Sequence, residues 1–132
     1  QSYSVVNVKI PGVEAFCLDT VKDSAISVAF SQQLSLLISE HLSYGKTDLE
    51  YYACQFQISG RSLQRKLKSE GQSFKGILDS VRKDLASRYI QQRVLDMGQI
   101  TEVLSFSDQA VFTRAFRRWY QVTPVQYRKS ML

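Results

Sequence analysis

Apolar residues recur at three- and four-residue steps through most of this chain, and each run of them opens on a residue that favours a helix start. From about Ser24, the positions Ile26, Phe30, Leu34, Leu37, Ile38 and Leu42 form one stripe, and Gly45 follows as a left-handed stop. Thr47-Asp-Leu-Glu50 has the T-x-x-E form of a capping box and precedes Leu49, Tyr52, Ala53 and Phe56 on one face, predicting a short helix over about 48–57. Ile58 fills a turn, Ser59 caps the next helix with Leu63 and Leu67 inward, and Gly71 ends it. The small Ala53 lets the two helices approach closely. Ser73 then caps a longer helix with a stripe of Phe74, Ile77, Leu78, Val81, Leu85, Ala86, Tyr89 and Ile90. Only the opening differs: Val5–Ile10 is β-rich with partial alternation, and Pro11-Gly12 breaks it, as a short strand and turn would.

The remaining third of the chain repeats the middle. Ser59-Gly-Arg-Ser-Leu-Gln-Arg-Lys-Leu67 and Asp108-Gln-Ala-Val-Phe-Thr-Arg-Ala-Phe116 share a cap, a bulky apolar residue four on, an arginine two later and a bulky apolar residue two after that, with starts 49 positions apart. Before the second copy, the stripe works best if Asp96 caps a helix with Met97, Ile100, Thr101 and Leu104 inward, so that Thr101 takes the slot of Ala53 and Ser105 and Phe106 make the turn. Phe112 and Phe116 anchor the following helix, Trp119 and Tyr120 close it, and Val122-Thr-Pro124 starts a last short helix with Tyr127 and Arg128. Two basic helices presented alike suggest a reader of two neighbouring DNA segments. The helix between them, about 18 residues and so roughly 27 Å long, suits recognition helices about one turn of B-DNA, roughly 34 Å, apart.

Charge sharpens this picture. Residues 1–58 hold three Lys/Arg against six acids, and residues 59–132 hold fourteen against six, so the surplus lies wholly in the part of the chain that carries the repeated helices. A concentrated cationic excess is what a polyanionic partner selects, although a solvated helical surface gives it too. Cys17 and Cys54 belong to no CxxC or Cys/His cluster and read as reduced residues of a cytoplasmic protein, with no metal implied. No apolar run reaches the roughly 18–20 residues of a membrane helix. The lone His41 reads as a surface or core-edge residue, and no catalytic constellation or phosphate-binding glycine loop is present, so neither an enzyme nor a cofactor is expected. A chain that begins at Gln1 reads as a piece of a longer protein.

Ser59-x-x-x-Leu63-x-Arg65, Gly71-x-Ser73-Phe74, Val81-Arg82-x-x-x-Ala86, Phe106-Ser-Asp-Gln-Ala-Val-Phe-Thr-Arg-Ala-Phe116 and Thr123-Pro124-x-x-Tyr127-Arg128 together resemble the DNA-binding domain of the AraC/XylS family of bacterial transcription regulators, over about residues 30–130. The resemblance implies a monomeric unit with two helix-turn-helix motifs that binds double-stranded DNA beside a promoter, usually activates by contacting RNA polymerase, and takes any effector ligand on a domain not present here. Carried over by position, Arg61, Gln64 and Arg65 in the first recognition helix and Gln109, Ala110, Thr113 and Arg114 in the second fall where the family reads bases. Lys66, Lys68, Arg117 and Arg118 are expected among the phosphate contacts. Three departures stand out: Thr101 for a small alanine, Ser105 for a glycine in the turn, and Gln121 for the glycine that usually ends the second recognition helix.

The expected fold is all-α, two helix-turn-helix subdomains joined by a long linker helix, with a short N-terminal extension. Residues 1–24 form that extension or the end of a preceding regulatory domain or linker. Residues 25–132 form the DNA-binding domain, its first helix-turn-helix at about 47–70, the linker helix at about 73–92 and the second helix-turn-helix at about 96–120. The expected function is a sequence-specific transcription regulator. The alternatives are a helical interaction module for an acidic partner and a stand-alone regulator without an effector domain.

Overall fold

The computed structural model describes residues 28–130, and the expected strand at Val5–Ile10, the turn at Pro11-Gly12 and a helix start near Ser24 lie outside them. All regular structure in the described residues is helical. Helix α1 (Phe30–His41) runs into a single 3-10 turn (Leu42–Tyr44), which Gly45 closes at φ 82° with its N–H on the Leu42 carbonyl. Helices α2 (Leu49–Gln55), α3 (Gly60–Ser69), α4 (Phe74–Gln92), α5 (Met97–Val103), α6 (Gln109–Tyr120) and α7 (Pro124–Ser130) follow. The described chain divides into two compact units, residues 28–34 with 48–74, and residues 35–47 with 75–130.

In the first unit α2 packs on α3, and Leu34, Tyr52, Ala53, Leu63 and Leu67 are buried. The Phe30 ring lies 4.9 Å from Phe56, and Tyr52 lies 5.9 Å from Phe74. The cap of α2 is Asp48, not Thr47: the Asp48 carboxylate accepts the N–H of Tyr51 at 3.2 Å, one position later than the T-x-x-E pattern places it. The Glu50 carboxylate does not fold back onto the cap but lies against Gly60 at the start of α3, in space that a Cβ at Gly60 would claim. That end of α3 is where a carboxylate is stabilised by the helix dipole. Helix α1 follows Ala29, a poor cap. Its first N–H groups are taken instead by Glu70, just past α3, whose carboxylate accepts from Phe30 N at 3.1 Å and Ser31 N at 3.2 Å.

The two helix-turn-helix turns have the same backbone solution. In the first, Ile58 N–H reaches the Ala53 carbonyl and Gln57 N–H the Cys54 carbonyl, both at 3.0 Å. In the second, Phe106 N–H reaches the Thr101 carbonyl at 3.1 Å and Ser105 N–H the Glu102 carbonyl at 3.0 Å. This paired bonding is the Schellman motif, which needs a left-handed residue at its corner. Gln57 and Ser105 fill that corner at φ 59° and 60°. The second turn carries one more residue, Ser107, before the cap Asp108.

In the second unit α5 packs on α6 and on the 3-10 turn, and α6 on α7. Ile38, Leu42, Ile77, Val81, Ala86, Ile90, Ile100, Leu104, Phe112, Ala115 and Phe116 are buried. Asp96 caps α5 in a full capping box, accepting from Gln99 N at 2.8 Å while its own N–H donates to Gln99 Oε1 at 2.9 Å. Thr101 is 6% exposed, and its hydroxyl donates to the Met97 carbonyl one turn back at 2.8 Å. That bond answers the need of a buried hydroxyl for a partner. Met97 itself is only half-buried. Arg128 of α7 donates to the carbonyls of Ile90 and Leu95 at 3.2 and 3.0 Å, closing the end of α4.

Candidate nucleic-acid interface

Helix α3 separates its residues by solvent. Leu63 and Leu67 are fully buried, and Arg61, Gln64, Arg65, Lys66 and Lys68 are all exposed. Ser59 starts the helix by accepting the N–H of Ser62 at 3.0 Å, and Gly71, at φ 72°, stops it. Five side chains without a single carboxylate thus occupy the outer face, donors suited to base edges and phosphates. Lys66 is the least free of them, with Nζ 5.5 Å from the Phe30 ring centroid.

Helix α6 repeats the separation less fully. Phe112, Ala115 and Phe116 are buried, Gln109, Ala110, Arg114, Arg117 and Arg118 are exposed, and Thr113 is half-buried. Thr113 shares with Gln109, Phe112, Met97, Thr123, Pro124 and Val125 the lining of a shallow hollow of about 260 Å³. The Arg118 guanidinium donates to Asp79 Oδ1 at 2.7 Å and lies 5.8 Å from the Trp119 ring centroid, so it is already engaged. Gln121 ends the helix at φ 70°, with its N–H on the Arg117 carbonyl at 2.9 Å.

Several residues that hold these faces in place escape sequence reasoning. Asp79 of α4 accepts from both Arg118 and, at 2.9 Å, Trp119 Nε1. Arg82, one turn further along α4, donates through Nε to the Leu104 carbonyl at 2.8 Å and through Nη2 to the Ser105 carbonyl at 2.6 Å. Its guanidinium carbon also lies over the Phe106 ring, 4.2 Å from the centroid. Burial lowers the Arg82 pKa, with the negative Asp79 pulling the other way. Ser105 adds a third tie, its hydroxyl donating to the Leu42 carbonyl at 2.6 Å. Tyr120 donates to the Lys83 carbonyl at 3.0 Å. Arg82, Ser105 and Tyr120 each fall within a sequence pattern described above, but no pattern marks the carbonyls they bind, and Asp79 carries no signal at all.

Among the described residues no cluster of His, Cys, Asp and Glu could hold a metal ion, and no helix is long and apolar enough to cross a membrane. Cys54 is a free, exposed thiol on α2, and Cys17 lies outside the described residues.

The sequence pattern of the helix-turn-helix domain family matches residues 52–130. The ornithine utilization regulator of Pseudomonas aeruginosa is 42% identical over 83 residues, 63% of this chain and 24% of that protein. The matched part of this chain spans between 22% and 41% of the length of such curated relatives. The C-terminal domain of AraT, a response regulator from Geobacillus stearothermophilus, superposes with a TM-score of 0.67 at 29% identity, over 76% of this chain and 84% of that one. The DNA-binding domain of AdpA, solved in complex with a target DNA, shares the fold with a TM-score of 0.65 at 20% identity, over 76% of this chain and 90% of that one. Two capped helices with matching turns, the long helix between them and the family pattern running through all of these lead to one assignment: the chain belongs to the AraC/XylS family of DNA-binding transcription regulators.

Proposed function

We propose that the chain reads an asymmetric operator by placing α3 and α6 in successive major grooves of one duplex, as the DNA-binding part of a longer transcription activator. The observation that carries this reading is the recurrence, in each unit, of a capped helix leaving a left-handed turn with its apolar face buried and arginines exposed: Arg61 and Arg65 on α3, Arg114 and Arg117 on α6. Helix α4 supports it. Its 19 residues lie between the two in sequence, a rod of about 28 Å, close to the roughly 34 Å between successive grooves.

In this reading Arg61, Gln64 and Arg65 meet base edges from α3, and Gln109, Ala110, Thr113 and Arg114 do so from α6. Lys66, Lys68, Arg117 and Arg118 meet phosphates. Arg65→Ala is expected to cost about 1–3 kcal/mol of binding and to relax preference at one position, whereas Arg117→Ala weakens all sequences alike. Selection of bound duplexes from random DNA, followed by binding of each variant to the selected and scrambled sequences, tests this. Enrichment of no sequence would overturn the reading. Through the family, the proposal extends to contact with RNA polymerase and to an effector held by a domain outside this chain. Transcription in vitro from a promoter bearing the selected site, with the full-length protein, should rise; a fall would make it a repressor.

A further inference from the structure

We infer that Arg82 is a positioning residue for base readout by the second unit: from the linker helix, its guanidinium fixes the turn from which recognition helix α6 departs. The inference rests on the DNA reading proposed above. The left-handed corner at Ser105 leaves the carbonyls of Leu104 and Ser105 without intrahelical donors, and Arg82 takes both, at 2.8 and 2.6 Å. Its Cζ lies over the ring of Phe106, the residue after the corner, 4.2 Å from the centroid. Two donors in a rigid fork, with the guanidinium carbon over the next residue's ring, locate the turn at three points, which the single ammonium of a lysine cannot do. Asp108, the cap of α6, comes two residues after Phe106, so any drift of the turn passes directly to Gln109 and, one helical turn on, to Thr113 and Arg114. Near the far end of α6, Asp79 accepts from Arg118 and Trp119 at 2.7 and 2.9 Å. Both ends of the helix are therefore held from α4, three residues apart. Paired contacts to a base edge tolerate displacements of only about 0.5 Å. Loss of the fork should cost the second unit its sequence preference before it costs the domain its attraction to phosphate.

The probe is a duplex selected from random DNA by the wild-type chain, with two derivatives in which one half is scrambled. The half read by α6 is the one at which Arg114→Ala loses discrimination. Failure of the wild-type chain to select any sequence would overturn the proposed function and not bear on Arg82. Given a selected duplex, Arg82→Ala and Arg82→Lys should each lose about tenfold or more of the discrimination at the half read by α6. Discrimination at the other half and affinity for wholly scrambled DNA should stay within about threefold of wild type. Asp79→Asn should shift the same half in the same direction, less far. Circular dichroism at the assay temperature identifies folded variants, and Arg82→Lys, which keeps the charge and the stem, carries the test if the alanine variant unfolds. Wild-type discrimination by Arg82→Lys, or equal loss at both halves, would overturn the inference.

Discussion

Ser105, Gln121, Gln57 and Arg93 are non-glycine residues held at φ between 58° and 70°, where an L side chain costs roughly 1–2 kcal/mol. What surrounds each decides its worth. The exposed Gln121 side chain has one long bond, from Nε2 to the Arg118 carbonyl at 3.3 Å, so Gln121→Gly should raise stability by up to about 1 kcal/mol, read as a higher midpoint of thermal unfolding. Ser105 differs because its hydroxyl holds Leu42. Ser105→Ala keeps the strain and loses that bond, and should cost about 1–2 kcal/mol, whereas Ser105→Gly relieves strain as it loses the bond and should come out near wild type. Denaturation of the two variants side by side checks the contrast; an alanine variant no less stable than the glycine one would deny the bond its role. Thr101→Ala removes a β-branched residue along with a bond inside its own helix, and should change stability by less than about 1 kcal/mol. The departures from the family's small residues were visible in the sequence, and so was the inward placement of Thr101. The compensation at Ser105 was not, because its acceptor is a backbone carbonyl 63 positions away, and carbonyls leave no mark in a sequence.

Helix boundaries show the same division between local and distant causes. Asp96, Ser59 and Asp108 cap their helices through residues three positions ahead, and such signals can be read directly. Thr47 failed as a cap because Asp48, equally suited, stood beside it and Glu50 had a use at Gly60. The start of α1 was illegible, since its cap, Glu70, lies at the end of another helix. Hydrogen bonds from Ser31 and Phe30, with Lys66 nearby, lower the Glu70 pKa below its ordinary 4.5. A carboxylate whose pKa falls on folding contributes stability above its unfolded value, and that stability is lost as pH drops through the folded value. Acid unfolding should therefore include a contribution from Glu70 below about pH 4.5, and Glu70→Gln should flatten the stability profile there while leaving its shape near neutrality unchanged. An identical acid limb in the variant would show that α1 does not depend on this cap.

For the whole molecule, net charge overstates the cations available to a duplex. Of the fourteen Lys/Arg in residues 59–132, Arg82, Arg93 and Arg128 donate to backbone carbonyls and Arg118 is paired with Asp79. Binding should still weaken steeply between about 50 and 200 mM salt, with a slope of about −0.9 per phosphate neutralised. Arg117→Gln should reduce that slope by about 0.9, and Arg118→Gln by less, because Arg118 reaches a phosphate only by leaving Asp79. Equal reductions, measured by salt titration on one duplex, would show that the Asp79 pair opens without cost. The basic surplus was countable in the sequence; its division between ties within the fold and an outward face depends on which distant carbonyls and carboxylates the fold brings beside each cation. The Glu70 cap also bears on how the chain is made. Synthesis delivers Phe30 and Ser31 some forty residues before the carboxylate that receives their N–H groups, so α1 passes through translation with an open first turn, and a nascent chain stalled ahead of Glu70 should expose that turn to proteases that the finished domain resists.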